Sequence, residues 1–156
     1  MGALSITDFD EFVVEATRRL QRALVAHYGV ELGREAAADA IAYAWEYRHE
    51  LAERANPLGY LFRVGQTSVR RLRRQLRLID LPPESRADTY RGVDGEPGLP
   101  AALARLNADQ RAAVLLVHAH AYSYAEAAEL LDIPVTTLRN HIHRGMARLR
   151  KLLEQP

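Results

Sequence analysis

One stretch limits the fold more than any other, residues 123–153, which read SYAEAAELLDIPVTTLRNHIHRGMARLRKLL. Ser123 and Glu126 have the spacing of a capping box, in which each side chain bonds the other's backbone N–H at a helix start. Ala127, Ala128, Leu130 and Leu131 then give a short helix one apolar side. Asp132-Ile133-Pro134 stops it, because a residue before proline is pushed out of the α region. Thr136 is placed to cap a second helix, whose Leu138, Ile142, Gly145, Leu149 and Leu152 fall three or four apart along one stripe. A short helix, a tight turn and a longer helix make a helix-turn-helix.

Away from that stripe the second helix carries Thr136, Thr137, Arg139, Asn140, His141, His143 and Arg144, with no acid among them. Arg and Asn offer the paired donors and acceptors that match guanine and adenine edges in the major groove, and Thr and Arg hold phosphates. The same residues would also suit a plain solvated face. The capped short partner and the proline-marked turn tip the balance to DNA binding.

Upstream, Thr7 or Asp8 opens a helix with Phe9, Phe12, Val13, Ala16, Leu20, Leu24 and Tyr28 on one side, and Gly29 ends it. After a turn over 30–33, an Ala-rich helix runs from about 34 to 54 with Ile41, Trp45 and Leu51, Trp45 being read as core. Asn56-Pro57 starts a third helix, since proline suits a first helical turn. Its end is RRLRRQLR, and Arg63, Arg70, Arg71, Arg73, Arg74 and Arg77 fall within 15 residues that hold no acid. Like charges this dense repel by a few tenths of a kcal/mol per helical pair. A polyanion would relieve that repulsion, so backbone contact with nucleic acid is the expectation. No stretch shows strand alternation.

Residues 80–100 hold four prolines, three glycines and a net charge of −3 between two blocks of +2 each. This composition predicts a flexible linker and a domain boundary. Beyond it, Asn107 and Gln110 form a second capping pair, starting a helix from 108 to about 121. The expected fold is therefore all-α: two small helical domains, 1–79 and 101–156, joined by a flexible linker at 80–100. The C-terminal domain is a helix-turn-helix.

The 20 Arg against a single Lys suit phosphate forks. The chain has no Cys, hence no thiolate site and no thiol nucleophile. It has no apolar run that could span a bilayer, which points to a cytoplasmic protein. His118 with His120, and His141 with His143, lie two apart on helices and so point about 200° apart, too far to chelate from one helix. No metal, cofactor or enzyme activity is expected.

The C-terminal block resembles region four of the bacterial RNA polymerase sigma factors of the short two-domain, extracytoplasmic-function class. The resemblance rests on Leu106, Gln110 and Arg111, on Tyr124-Ala125-Glu126-x-Ala128, on Ile133-Pro134-Val135 and on the helix from Leu138 to Leu149. The N-terminal block is similar to region two through Ala44-Trp45, Asn56-Pro57 and Tyr60-Leu61-Phe62-Arg63-Val64. The family's Asp-Leu-Val-Gln-Glu-x-Phe signature falls on residues 35–41, keeping acids at Glu35 and Asp39 and turning the other positions mostly to Ala.

The resemblance implies promoter DNA and core RNA polymerase as partners, with an anti-sigma factor as regulator and no membrane. It implies minus-thirty-five recognition by the last helix and core binding through Glu35 and Asp39. Minus-ten DNA would lie on Tyr60, Phe62, Arg63, Arg70, Arg71, Arg73 and Arg74, although the two aromatics fit core packing equally well. A sigma-like decoy or a stand-alone helix-turn-helix regulator is the alternative.

Overall fold

The structure, a computed structural model, describes residues 6–76, 90 and 95–155. Among these there are helices and no strands. They are α1 (Ile6–Tyr28), α2 (Val30–Glu46), α3 (Arg48–Ala52), α4 (Pro57–Leu76), α5 (Leu99–Arg105), α6 (Ala108–Val114), α7 (Tyr124–Leu131) and α8 (Val135–Glu154). Arg77 and residues 80–94 of the expected linker, apart from Tyr90, lie outside the described residues.

Gly29 alone makes the first corner, in the left-handed region at φ 92°, where a side chain would be strained. The second helix therefore begins at Val30, four residues before the point its pattern suggests. Gly33 lies inside it, not in a turn. A Cβ there would fall 2.5 Å from the Val25 backbone, so this glycine lets α1 and α2 cross at close range. Ala36, Ala37, Ala40 and Ala44 line the buried side of α2. Ala36 and Ala37, which stand at the signature's Leu and Val positions, thus belong to a tight helix crossing, while Ala38 is exposed. The helix breaks at Tyr47, and Trp45 is 43% exposed with its ring edge-on to Phe9, which corrects the expectation that it is core.

Helix α4 crosses this pair with Leu58, Leu61, Phe62 and Val69 buried. Gly65 fits beneath Leu24, whose Cδ1 would be 2.7 Å from an added Cβ. Helix α5 takes in Leu99 and Pro100, the last two residues of the expected linker. Asn107 caps α6 by accepting from the Gln110 N–H at 2.8 Å. The chain then widens into one π-type turn, Leu115–Ala119, in which the His120 N–H reaches the Leu115 carbonyl at 3.0 Å.

Both halves of the Ser123–Glu126 capping box form at the start of α7. Asp132 ends α7 at φ 54°, a left-handed conformation that Asp tolerates better than most residues. Pro134 precedes α8, so Thr136 lies inside the helix and does not cap it. Leu20 and Leu24 of α1, Phe62 of α4, Leu116, Leu130 of α7 and Leu138 of α8 belong to one continuous core. Each such side chain contributes about 1.5–3 kcal/mol when fully buried.

Candidate nucleic-acid interface

Helix α8 turns Leu138, Ile142, Gly145 and Leu149 inward. Gly145 is needed there, because a Cβ would come within 2.9 Å of Val114. On the other side Thr136, Arg139, Asn140, His143 and Arg144 are exposed, while Thr137 and His141 are half-buried. The helix has no acid before Glu154. Arg139 also lies 6.0 Å from the Tyr124 ring centroid, so α7 steadies one of the candidate base readers. Seven sequence-selected residues therefore share one helix, and five of them face solvent.

The second group divides. Arg70, Arg73 and Arg74 are exposed along α4, with Arg73 lying 5.4 Å from the Tyr28 ring. Arg71 turns back to Asp39 at 3.1 Å, and the Ser68 hydroxyl bonds the same carboxylate oxygen. Asp39, selected for polymerase contact, is thus paired within the chain but stays half-buried at the surface, while Glu35 is exposed. Arg63 donates from Nε to the Asp132 carboxylate and from Nη2 to the Asp132 carbonyl at 3.1 Å.

Phe62 is 1% exposed, its ring 5.5 Å from His27, which makes it core and removes it from the DNA platform. Residues two apart on a helix point about 200° apart, so only one of the two aromatics can face out. That one is Tyr60. Its hydroxyl is 3.2 Å from that of Tyr43, the Arg54 guanidinium lies 3.5 Å from its ring centroid, and Tyr43 lies 4.6 Å from Tyr47. The bond to Tyr60, with desolvation second, raises the Tyr43 phenol above its ordinary range. The spacing of Tyr43 and Tyr47, one helical turn apart, is the signal that could have added them and Arg54 to the site.

Arg111, selected only as part of a family motif, is buried against the end of α1. Its Nε donates to the Ala26 carbonyl at 2.7 Å, Nη2 to the His27 carbonyl at 2.6 Å and Nη1 to the Leu106 carbonyl at 2.9 Å. Beside it, burial pushes His27 down from 6.5 to about 4, against the opposing pull of Asp109 at 3.5 Å. The Nδ1 of His27 has no partner among the described residues.

The unfolded ring takes up a proton near pH 6.5 and the folded ring only near pH 4. The stabilisation from keeping His27 neutral is therefore whole above pH 6.5 and lost as pH falls through that window. Urea unfolding at pH 7 and pH 5 should differ by on the order of 2 kcal/mol, with that difference removed in His27→Gln. An unchanged difference in the variant would assign the acid sensitivity to other groups.

Among the described residues no cluster of three or more His, Asp or Glu is placed to hold a metal ion, and no helix is long and apolar enough to cross a membrane. Residues 98–149 match the family described as Sigma-70, region 4. No curated protein matches the sequence at a significant level. The fold is similar to that of the sigma factor RpoE in complex with the anti-sigma factor NepR from Bartonella quintana. That match has 20% identity, covers 96% of this chain and 99% of that one, and has a TM-score of 0.63. It is also similar to CnrH in complex with the cytosolic domain of CnrY, at 22% identity, 96% and 90% coverage and a TM-score of 0.60.

Proposed function

We propose that this chain, whose residues 98–149 belong to the sigma-70 region 4 family, is a cytoplasmic sigma factor of the extracytoplasmic-function class. It binds core RNA polymerase and directs it to promoters. The observation that carries this reading is the acid-free outward face of α8, presented by a capped helix-turn-helix. Arg139 and Asn140 would meet base edges of a minus-thirty-five element, with Thr136, His143 and Arg144 beside the phosphates. Arg70, Arg73 and Arg74 would follow the backbone towards opened minus-ten DNA. Unstacking a base costs a few kcal/mol, which a stacking partner such as Tyr60 can offset.

No bond is made or broken by such a protein. Its work is to place the polymerase and to hold one state of the DNA. Glu35 remains available on the exposed side of α2 for the polymerase, and the complex of RpoE with the anti-sigma factor NepR makes an anti-sigma factor a fitting regulator.

The inward turn of Asp39 onto Ser68 and Arg71 favours a second reading, a sigma-like decoy or a stand-alone regulator that keeps only its helix-turn-helix. Purified core polymerase separates them. A sigma factor is retained by core and yields discrete runoff transcripts from genomic fragments. Retention without transcripts, or no retention at all, would leave the second reading standing.

A further inference from the structure

Five large apolar side chains are exposed among the described residues, and two of them open the two helices of the helix-turn-helix. They are Tyr124, 36% exposed at the first position of α7, and Val135, 37% exposed at the first position of α8. Folding gives no reason for this placement. Valine is a poor helix former, and a first helical turn favours proline or an acid over an aliphatic side chain. The two residues converge instead on Arg139. Its guanidinium lies 6.0 Å from the Tyr124 ring centroid, and Val135 stands one helical turn before it on the same side of α8. An aliphatic tip, a cation and an aromatic ring thus share the leading end of the DNA-facing helix.

The leading end of a recognition helix is the part that contacts base edges in the major groove. Those edges present donors and acceptors with one apolar exception, the C5-methyl group of thymine. A branched aliphatic side chain gains from covering that methyl and gains little from any other base edge. Residues four apart on a helix have Cβ atoms about 5–6 Å apart, and successive bases of a strand are about 3.4 Å apart. Val135 and Arg139 therefore reach base pairs close to one another. We infer that Val135 reads the methyl of a thymine lying within about two base pairs of a guanine held by Arg139, and that Tyr124 is a positioning residue that fixes the Arg139 fork. The inference rests on the promoter-binding reading above and adds to it the identity of the bases at one step of the site.

The test uses the full chain with core RNA polymerase and the duplex they prefer out of a random-sequence library. Each thymine of that duplex is replaced in turn by deoxyuridine, which removes the methyl and nothing else. One replacement close to a guanine should weaken binding by about fourfold, the effect of one buried methyl group. Val135→Ala should bind the thymine duplex weaker by about the same factor and make no distinction there between thymine and deoxyuridine. For Tyr124 the readout is the preference for guanine over 7-deazaguanine at the position where Arg139→Ala loses it. Tyr124→Ala should reduce that preference by about threefold, and Tyr124→Phe, which keeps the ring, should restore it.

A scan with no sensitive thymine, or a sensitivity that survives Val135→Ala, would overturn the role of Val135 and leave the promoter-binding reading intact. A guanine preference unchanged in Tyr124→Ala would likewise remove Tyr124 from the positioning of Arg139. A library from which no sequence is preferred over random DNA would overturn the promoter-binding reading itself, and the inference with it.

Discussion

Replacing Arg111 with alanine is expected to destabilise the protein by about 3 kcal/mol or more, because it removes several buried hydrogen bonds from a charged donor. One guanidinium satisfies carbonyls of Ala26, His27 and Leu106, and two of these are orphaned by the end of α1. The last carbonyls of a helix have no partner within it, so a buried helix end must find one elsewhere. Hydrogen bonds to a charged donor contribute about 1.5–3 kcal/mol each, and a deserted buried acceptor adds its own desolvation cost. Lysine has one nitrogen and cannot span three carbonyls, so Arg111→Lys should recover only part of the loss. Denaturant unfolding with an unchanged m-value would measure it. A loss below about 1 kcal/mol in Arg111→Ala would show that the network adds little.

The second large effect belongs to binding. Arg139→Ala and Asn140→Ala should each weaken promoter-specific binding by about 1–3 kcal/mol, and together by roughly 3 kcal/mol or more. Both side chains point to solvent from a helix whose buried stripe they do not touch, so thermal stability should stay near that of wild type. Neutralising Arg70, Arg73 and Arg74 should act differently, lowering affinity for all sequences and reducing the salt slope by about one for each phosphate left without its arginine. The two sets are separated by measuring specific and random duplexes over a salt series. If the α8 double variant keeps its preference between those duplexes, α8 is not the reader.

What could be read from residue order was what is decided locally. Ser123 with Glu126, Asn107 with Gln110, Gly29 and Pro57 each mark a helix end through bonds or backbone angles spanning three or four residues. The stripe of α8 was visible for the same reason, and with it the acid-free side left to solvent. The start of α2 was misplaced because Gly29 turns the chain by itself, while Gly33, a plausible turn residue in isolation, is required by a neighbour eight residues earlier. Tyr60 and Phe62 could not be told apart, since which aromatic faces inward depends on His27 and α1. The bonds from Arg111 to α1 span about 85 residues, and those from Arg63 to Asp132 span 69. No periodicity carries a pairing of that range.

The widened turn at Leu115–Ala119 is the last of its helix. Ala121 closes it at φ 58°, and the Tyr122 N–H reaches back to the Leu116 carbonyl at 3.0 Å. Alanine is strained in that left-handed region where glycine is not. The corner that leads into the helix-turn-helix therefore stores strain in one residue's torsion. Ala121→Gly would relax that torsion and keep the corner.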